Sequence, residues 1–279
     1  MNSITNFPQD CEFQKLITRQ SDVDLTTAAL ELARDAYPTL DFESVYDWIA
    51  RRASELTSPL ATAPAESQAL AELGRCIAGQ HGITGSRESY DEADGSFLHR
   101  VIERQCGIPI SLSVLYMAVA SRAGWRLRGV SAPGHFLVRY DSIDGPLFLD
   151  PFDAGRVLSI SECLGRVQKA AGVTSEMALS ALKPVGPRTI ITRMLNNLKA
   201  LYARQSQWQG AWMVQRRLVA LQPTSYNERR DLALLTLKAG QAGKSLDLLQ
   251  ACRRTCPQDE MELLDQQMDD ARRQIARWN

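Results

Sequence analysis

No run of apolar residues in this chain approaches the 18 or more that a membrane-spanning helix requires. Residues 1–20 also lack the basic start and apolar centre of a secretory signal. The cytoplasm is therefore the expected compartment. An excess of charge is missing too: 32 basic residues stand against 32 acidic ones over 279 residues, so nothing global points to nucleic acid or to an anionic membrane. Cysteine is sparse. Six of them, Cys11, Cys76, Cys106, Cys163, Cys252 and Cys256, are too few and too scattered for a disulfide scaffold, and they supply no pair of Cys-x-x-Cys hooks for zinc. Reduced thiols are expected. Cys252 and Cys256 stand one helical turn apart without further ligands beside them, and a site built from the three histidines, His81, His99 and His135, is an alternative ranked well below none. Neither a metal nor a cofactor is expected.

What is present suits one large or two medium soluble domains, with 44% hydrophobic and 23% charged residues. Residues 1–21 show no sustained periodicity and read as a loose arm. Helical spacing then runs over Asp22–Tyr37, Phe42–Leu56 and Glu66–Ala78, with a turn-like break over Thr57–Pro64 and a surface loop over Gly79–Gly95. The stretch Gly95–Gly155 organises the rest. It opens with a short helix over Ser96–Arg104, followed by a nearly all-apolar, hence buried, helix that starts at Pro109. Three short strands follow, Arg126–Val130, His135–Tyr140 and Leu147–Asp150. Arg156–Leu158 is a candidate fourth strand, and Ser159 or Ser161 can cap a helix reaching Ala171.

If Asp141–Asp144 forms a four-residue hairpin loop, His135 faces Asp150 on one side of the sheet. A carboxylate that orients an imidazole is two-thirds of a nucleophilic triad. It is also what a half-buried structural histidine looks like. No nucleophile stands in an obvious place. The nearest thiol and hydroxyl in sequence are Cys106, just ahead of the buried helix, and Ser111, two residues inside it. Arg139 shares the face of His135 and is a possible rival for Asp150, while Asp153 reads as a turn former.

Beyond Lys183–Pro187, taken as the inter-domain connection, five helical patterns follow with almost no strand signal. Two of their breaks, Pro223 and Pro257, are 34 residues apart. That period is the tetratricopeptide one. Leu195, Leu198, Tyr202, Ala211 and Leu218 fill one set of repeat slots. Arg229, Leu232, Thr236, Ser245, Leu249 and Cys252 fill a weaker second set, with Met261–Trp278 as a cap. Arg193, Lys199, Arg204, Arg216 and Arg217 are candidates for an anion-preferring partner groove, against the simpler reading of a solvated face.

The strings SFLHRVIERQCGIPISLSVLY, PGHFLVRY and FLDPFDAG, in that order, resemble the transglutaminase-like, papain-related fold. They resemble most closely its SirB-type bacterial proteins, which join such a domain to tetratricopeptide repeats. The resemblance spans roughly residues 22–279. It implies that Pro109 occupies the position of the nucleophilic cysteine while His135 and Asp150 fall on the other two triad positions, and that this proline is usual in the SirB-type group.

The expected architecture is thus α+β. A loose arm (1–21) precedes a helical segment with a papain/transglutaminase-like core, a helix packed on a small antiparallel sheet (22–186). An all-α repeat domain follows (187–279). The resemblance implies a non-catalytic regulatory or scaffold protein working through protein partners, with a virulence-related setting. The alternatives are cysteine-dependent acyl transfer by Cys106, His135 and Asp150, and a small-molecule binder in the relic cleft.

Overall fold

The computed structural model describes residues 7–276. The loose arm expected over 1–21 lies outside them at residues 1–6. From Phe7 on it is packed, because helix α1 (Cys11–Ile17) has two large apolar side chains, Phe13 and Leu16, to bury. Helix α2 (Leu25–Ala33) begins where the Asp24 carboxylate accepts the Thr27 amide at 2.7 Å. Helix α3 (Phe42–Thr62) begins under an equivalent cap from Asp41 and runs through the break expected at Thr57–Pro64. Pro59 deprives only the Glu55 carbonyl of its amide partner, a loss that an established helix tolerates near its exposed end.

Helix α4 (Glu66–Gly74) widens into a π-helical turn, Arg75–Gln80. The segment expected as a plain surface loop carries a short strand, β1 (Thr84–Gly85), and after α5 (Leu98–Arg104) it pairs in parallel with β2 (Cys106–Gly107). Helix α6 (Pro109–Arg122) has Pro109 in its first turn, where the missing N–H costs nothing, and buries most of its surface. Four antiparallel strands follow in simple meander order: β3 (Arg128–Val130), β4 (Leu137–Ser142), β5 (Gly145–Asp150) and β6 (Arg156–Leu158). Ser159 then opens α7 (Ile160–Ala171) with a full capping box to Glu162, and α8 (Ser175–Ala181) starts at a Thr174 cap. The remaining helices are α9 (Pro187–Arg204), α10 (Trp208–Leu221), α11 (Tyr226–Lys238), α12 (Ala242–Arg253) and α13 (Met261–Ala276). Among the described residues no helix is long and apolar enough to cross a membrane.

The chain forms two compact units, Gln20–Met194 and Met1–Arg19 with Leu195–Asn279. The break falls inside α9, not at Lys183–Pro187. That connection belongs to the sheet unit: the Val185 amide donates to the Gly129 carbonyl at 2.9 Å, and Ile190, Ile191 and Met194 are buried.

In the sheet unit, strand alternation divides the side chains cleanly. Val130, Leu137, Phe148 and Leu158 face Cys163 and Val167 of α7 and Ala178 of α8. The opposite face carries Tyr140, which packs on Trp125 just past α6 and donates to Glu66 of α4 at 2.8 Å. Gly155 at φ +72° passes so close to α4 that a Cβ there would sit 2.5 Å from the Gly74 Cα.

In the repeat unit most slots deduced from the 34-residue spacing are interior positions, with Tyr202 and Arg229 half-buried. Leu195, Leu198, Ala211, Leu218, Leu232, Leu249 and Cys252 are all buried. The hydroxyls of two slot residues are satisfied within and between the helices. Thr236 donates to the Leu232 carbonyl and accepts from the Trp212 indole, and Ser245 donates to the Ala233 carbonyl at 2.7 Å.

Candidate functional site

The hairpin between β4 and β5 turns over two residues, not four: Ser142 pairs with Gly145 and Val138 with Leu149. The register is therefore two residues away from the one expected, and His135 lies ahead of β4 in the Ala132–Phe136 loop. The pair nevertheless forms, with His135 Nε2 2.8 Å from Asp150 Oδ1. A slip of two leaves every side chain on its original face, whereas a slip of one would have separated them.

Asp150 ends β5 and is 2% exposed. Its Oδ1 also accepts the Asp153 amide, capping the turn Pro151–Asp153, and its Oδ2 accepts from Arg166 Nη1 at 2.7 Å. Burial pushes the Asp150 carboxyl upward, but the His135, Asp153 and Arg166 hydrogen bonds outweigh it and hold the group below the usual carboxylate range. Arg166 was not foreseen. The available signal was its place three residues beyond Cys163 on α7, a charged residue on the face that packs against the sheet. Arg139, the expected rival, instead binds Asp141 at 2.7 Å and the Leu182 carbonyl. Asp153 forms the turn as expected.

The imidazole forms part of the wall of a cavity of about 420 Å³, together with Asp150, Phe152, Arg166 and Val167. Phe152 meets the imidazole edge-on at 6.1 Å. Of the two ring nitrogens only Nε2 has a hydrogen-bond partner among the described residues, so Nδ1 is the one left to exchange a proton. Among the described residues nothing nucleophilic bonds to it. Pro109 is buried at the start of α6 and does not line the cavity. Cys106 sits on β2, opposite Thr84, and does not line it either. Ser111 is fully buried with its hydroxyl directed at the Gly95 and Ile108 carbonyls, at 2.5 and 3.0 Å. Cys163 contributes to the cavity wall, but it is fully buried and its thiol is pushed up to about 12 by desolvation, so it is an inert packing group there.

The candidate partner-groove cations are largely committed elsewhere. Arg193 donates to Ser131 Oγ at 2.6 Å, to the Ala132 carbonyl at 3.0 Å and to the His135 carbonyl at 3.0 Å, and it stacks on Phe136, so it braces the His135 loop. Arg217 is 1% exposed, sandwiched by Phe7 and Phe13 and paired with Asp10 at 2.8 Å. Lys199 is paired with Glu228 and Asp231, and Arg216 stacks on Phe7 and Trp212. Arg204 lies in the last turn of α9. A charged residue amid helix-period polar neighbours looks like surface in sequence, and only the partner chosen by the fold shows otherwise.

A second histidine–carboxylate pair escaped sequence reasoning. His81 Nε2 lies 2.7 Å from Glu55 Oε2, and the buried Cys76 thiol donates to the same oxygen at 3.6 Å. The Glu55 carboxyl is held at about 2, chiefly by hydrogen bonds from Arg52, with His81 adding to the effect. The Cys76 thiol is pushed up to about 11 by burial and by the neighbouring carboxylate. The third histidine, His99, is buried between Tyr37 and Phe97, and burial lowers its pKa.

Residues 43–196, more than half of the chain, match the transglutaminase-like superfamily model. The chain belongs to that superfamily. Residues 198–276 match a tetratricopeptide repeat model, which confirms the order of the two parts. A UPF0162 protein of Xylella fastidiosa (strain 9a5c) is 38% identical over 229 residues, covering 80% of this chain and 81% of the relative. Protein SirB1 of Salmonella typhimurium is 25% identical over 232 residues, 83% and 85% of the two chains, in keeping with the SirB-type resemblance. F-box only protein 21 of mouse is 30% identical over 193 residues, 66% of this chain but only 28% of the relative. No solved structure matches the chain.

Proposed function

We propose that this protein is a non-catalytic member of its superfamily that acts as a regulatory or scaffold protein, engaging protein partners through its helical repeats. The supporting observation is the incomplete triad: an oriented imidazole whose Nδ1 has no thiol or hydroxyl bonded to it among the described residues, with proline where the resemblance puts the cysteine. Tetratricopeptide repeats generally mediate protein–protein contacts, and stacked helix pairs offer the extended surface for it. A cytoplasmic setting and a link to virulence gene control are the finer parts of the proposal, and the second rests on the resemblance to SirB-type proteins.

A second reading is favoured by one observation, the cavity beside His135. With its apolar wall and its His135, Asp150 and Arg166 polar groups, it has the make-up of a small-molecule pocket. Two measurements on the full-length chain separate these readings from acyl transfer. A thermal-shift screen that yields a cavity ligand favours the binder, and its loss in Arg166→Ala places the ligand there. Selective acylation of Cys106 that disappears in His135→Ala would establish an enzyme and end the scaffold proposal.

A further inference from the structure

We infer that Glu55, Cys76 and His81 form a binding site for a borderline-soft divalent cation of the zinc class. The three side chains supply a carboxylate oxygen, a sulfur and an imidazole nitrogen, all within 4.8 Å of one another. This donor set selects zinc-like ions over magnesium or calcium, which prefer oxygen alone.

The site is built by the fold. Cys76 and His81 are five residues apart, a separation that an ordinary α-helix would not align on one face. The π-helical turn Arg75–Gln80 does so, its closing bond running from the His81 amide to the Cys76 carbonyl at 3.2 Å. The His81 turn is also pinned from outside, since Gln105 Nε2 donates to the His81 carbonyl at 3.0 Å. Glu55 arrives from α3 with its carboxylate oriented by Arg52, which donates to both oxygens at 3.1 and 2.5 Å, and Arg52 is itself stacked on Trp48. Carboxylates that ligate metals are commonly held in this way by an outer partner.

The distances suit the ion after a small adjustment. Around a tetrahedral zinc with bonds of about 2.0–2.3 Å, neighbouring donor atoms are about 3.4–3.6 Å apart. Cys76 Sγ to Glu55 Oε2 is already 3.6 Å, and the 2.7 Å between His81 and Glu55 must open by less than about 1 Å. Glu55 and His81 are 39% and 27% exposed, so both can move and the ion can enter from solvent. On binding, the Cys76 S–H bond breaks and its proton passes to solvent as the metal–sulfur bond forms. The Nε2 proton that His81 shares with Glu55 passes to solvent while Nδ1 takes one up, which frees the Nε2 lone pair for the ion; Glu55 gives an oxygen already ionised, and water completes the fourth position. The bound ion would tie α3 to the end of α4, independently of the His135 cavity.

The test uses reduced, chelator-treated full-length protein titrated with Co²⁺ alone. The inference predicts a near-ultraviolet thiolate-to-cobalt charge-transfer band that saturates at one equivalent and is bleached by added Zn²⁺. Cys106→Ser should retain the band and Cys76→Ser should abolish it. His81→Gln, which keeps the thiol, should weaken Co²⁺ binding by roughly tenfold or more, since even loss of an outer partner costs 10–100-fold. Absence of the band from the parent chain, its persistence in Cys76→Ser, or unaltered affinity in His81→Gln would each overturn the site. Circular dichroism of both variants identifies any that fail to fold, and His81→Gln decides the matter if Cys76→Ser is one of them.

Discussion

Two histidines in this protein each hold a carboxylate at nearly the same distance, and they differ in everything else. His135 meets Asp150 at 2.8 Å, where the acid is 2% exposed, a cavity is open beside the ring and no thiol is bonded. His81 meets Glu55 at 2.7 Å, where the acid is 39% exposed and a buried thiol joins the pair. The ingredients of a cysteine-dependent site are thus present in one chain but divided. The cavity has the oriented base, and the thiol stands with the other pair. An imidazole–carboxylate contact alone therefore says little about chemistry; the third group decides it.

The contrast can be pressed by mutation, beginning with the deeper pair. Asp150→Ala strands Arg166 and the His135 imidazole and frees the Asp153 amide. We expect it to lower the unfolding free energy by about 2–3 kcal/mol in urea denaturation, the exposed parts of Arg166 and His135 moderating the loss. Arg193→Met removes three hydrogen bonds that hold the Ala132–His135 loop and should cost about 1–2 kcal/mol by the same measurement. Glu55→Ala, at the exposed pair, should cost about 1 kcal/mol or less in metal-free buffer. Equal losses at Asp150 and Glu55 would remove the distinction between a buried and a surface pair.

Acid sharpens the same comparison. Both carboxyls titrate lower in the folded chain than in the unfolded one, so on acidification the unfolded state takes up protons first and stability falls. For Glu55 the contribution is complete above its ordinary 4.5 and is lost as pH drops toward about 2. For Asp150 it is complete above the ordinary aspartate value of about 3.9 and is lost below it. In acid unfolding followed by circular dichroism, Glu55→Gln and Asp150→Asn should each flatten the acid limb, since each removes a carboxyl held below its ordinary value. An acid limb that neither substitution alters would contradict the lowered folded-state values.

Much of this was legible in the chain. Pro109 marked the start of the buried helix because its ring suits a first turn, and the Pro223–Pro257 spacing marked repeat slots most of which prove to be buried. The His135–Asp150 contact was legible even though its register was not, because alternation fixes the face while loop length fixes the pairing, and a two-residue error in the loop leaves the face untouched. The packed arm, the run of α3 through Pro59 and the division inside α9 were not legible, since each depends on tertiary burial outweighing a local signal. The burial of Arg217 between two phenylalanines and the meeting of Glu55, Cys76 and His81 depend on pairings that sequence spacing does not encode. The second also needs a π-helical turn that no residue type announces.

On the proposed reading, the imidazole of His135 serves no nucleophile. Intact-mass spectrometry of the full-length protein after exposure to an activated ester tests it directly. The account predicts the same acylation pattern for the parent chain and for His135→Ala, following the exposure of lysines and thiols. A single stoichiometric adduct on the parent chain that vanishes in His135→Ala would contradict it.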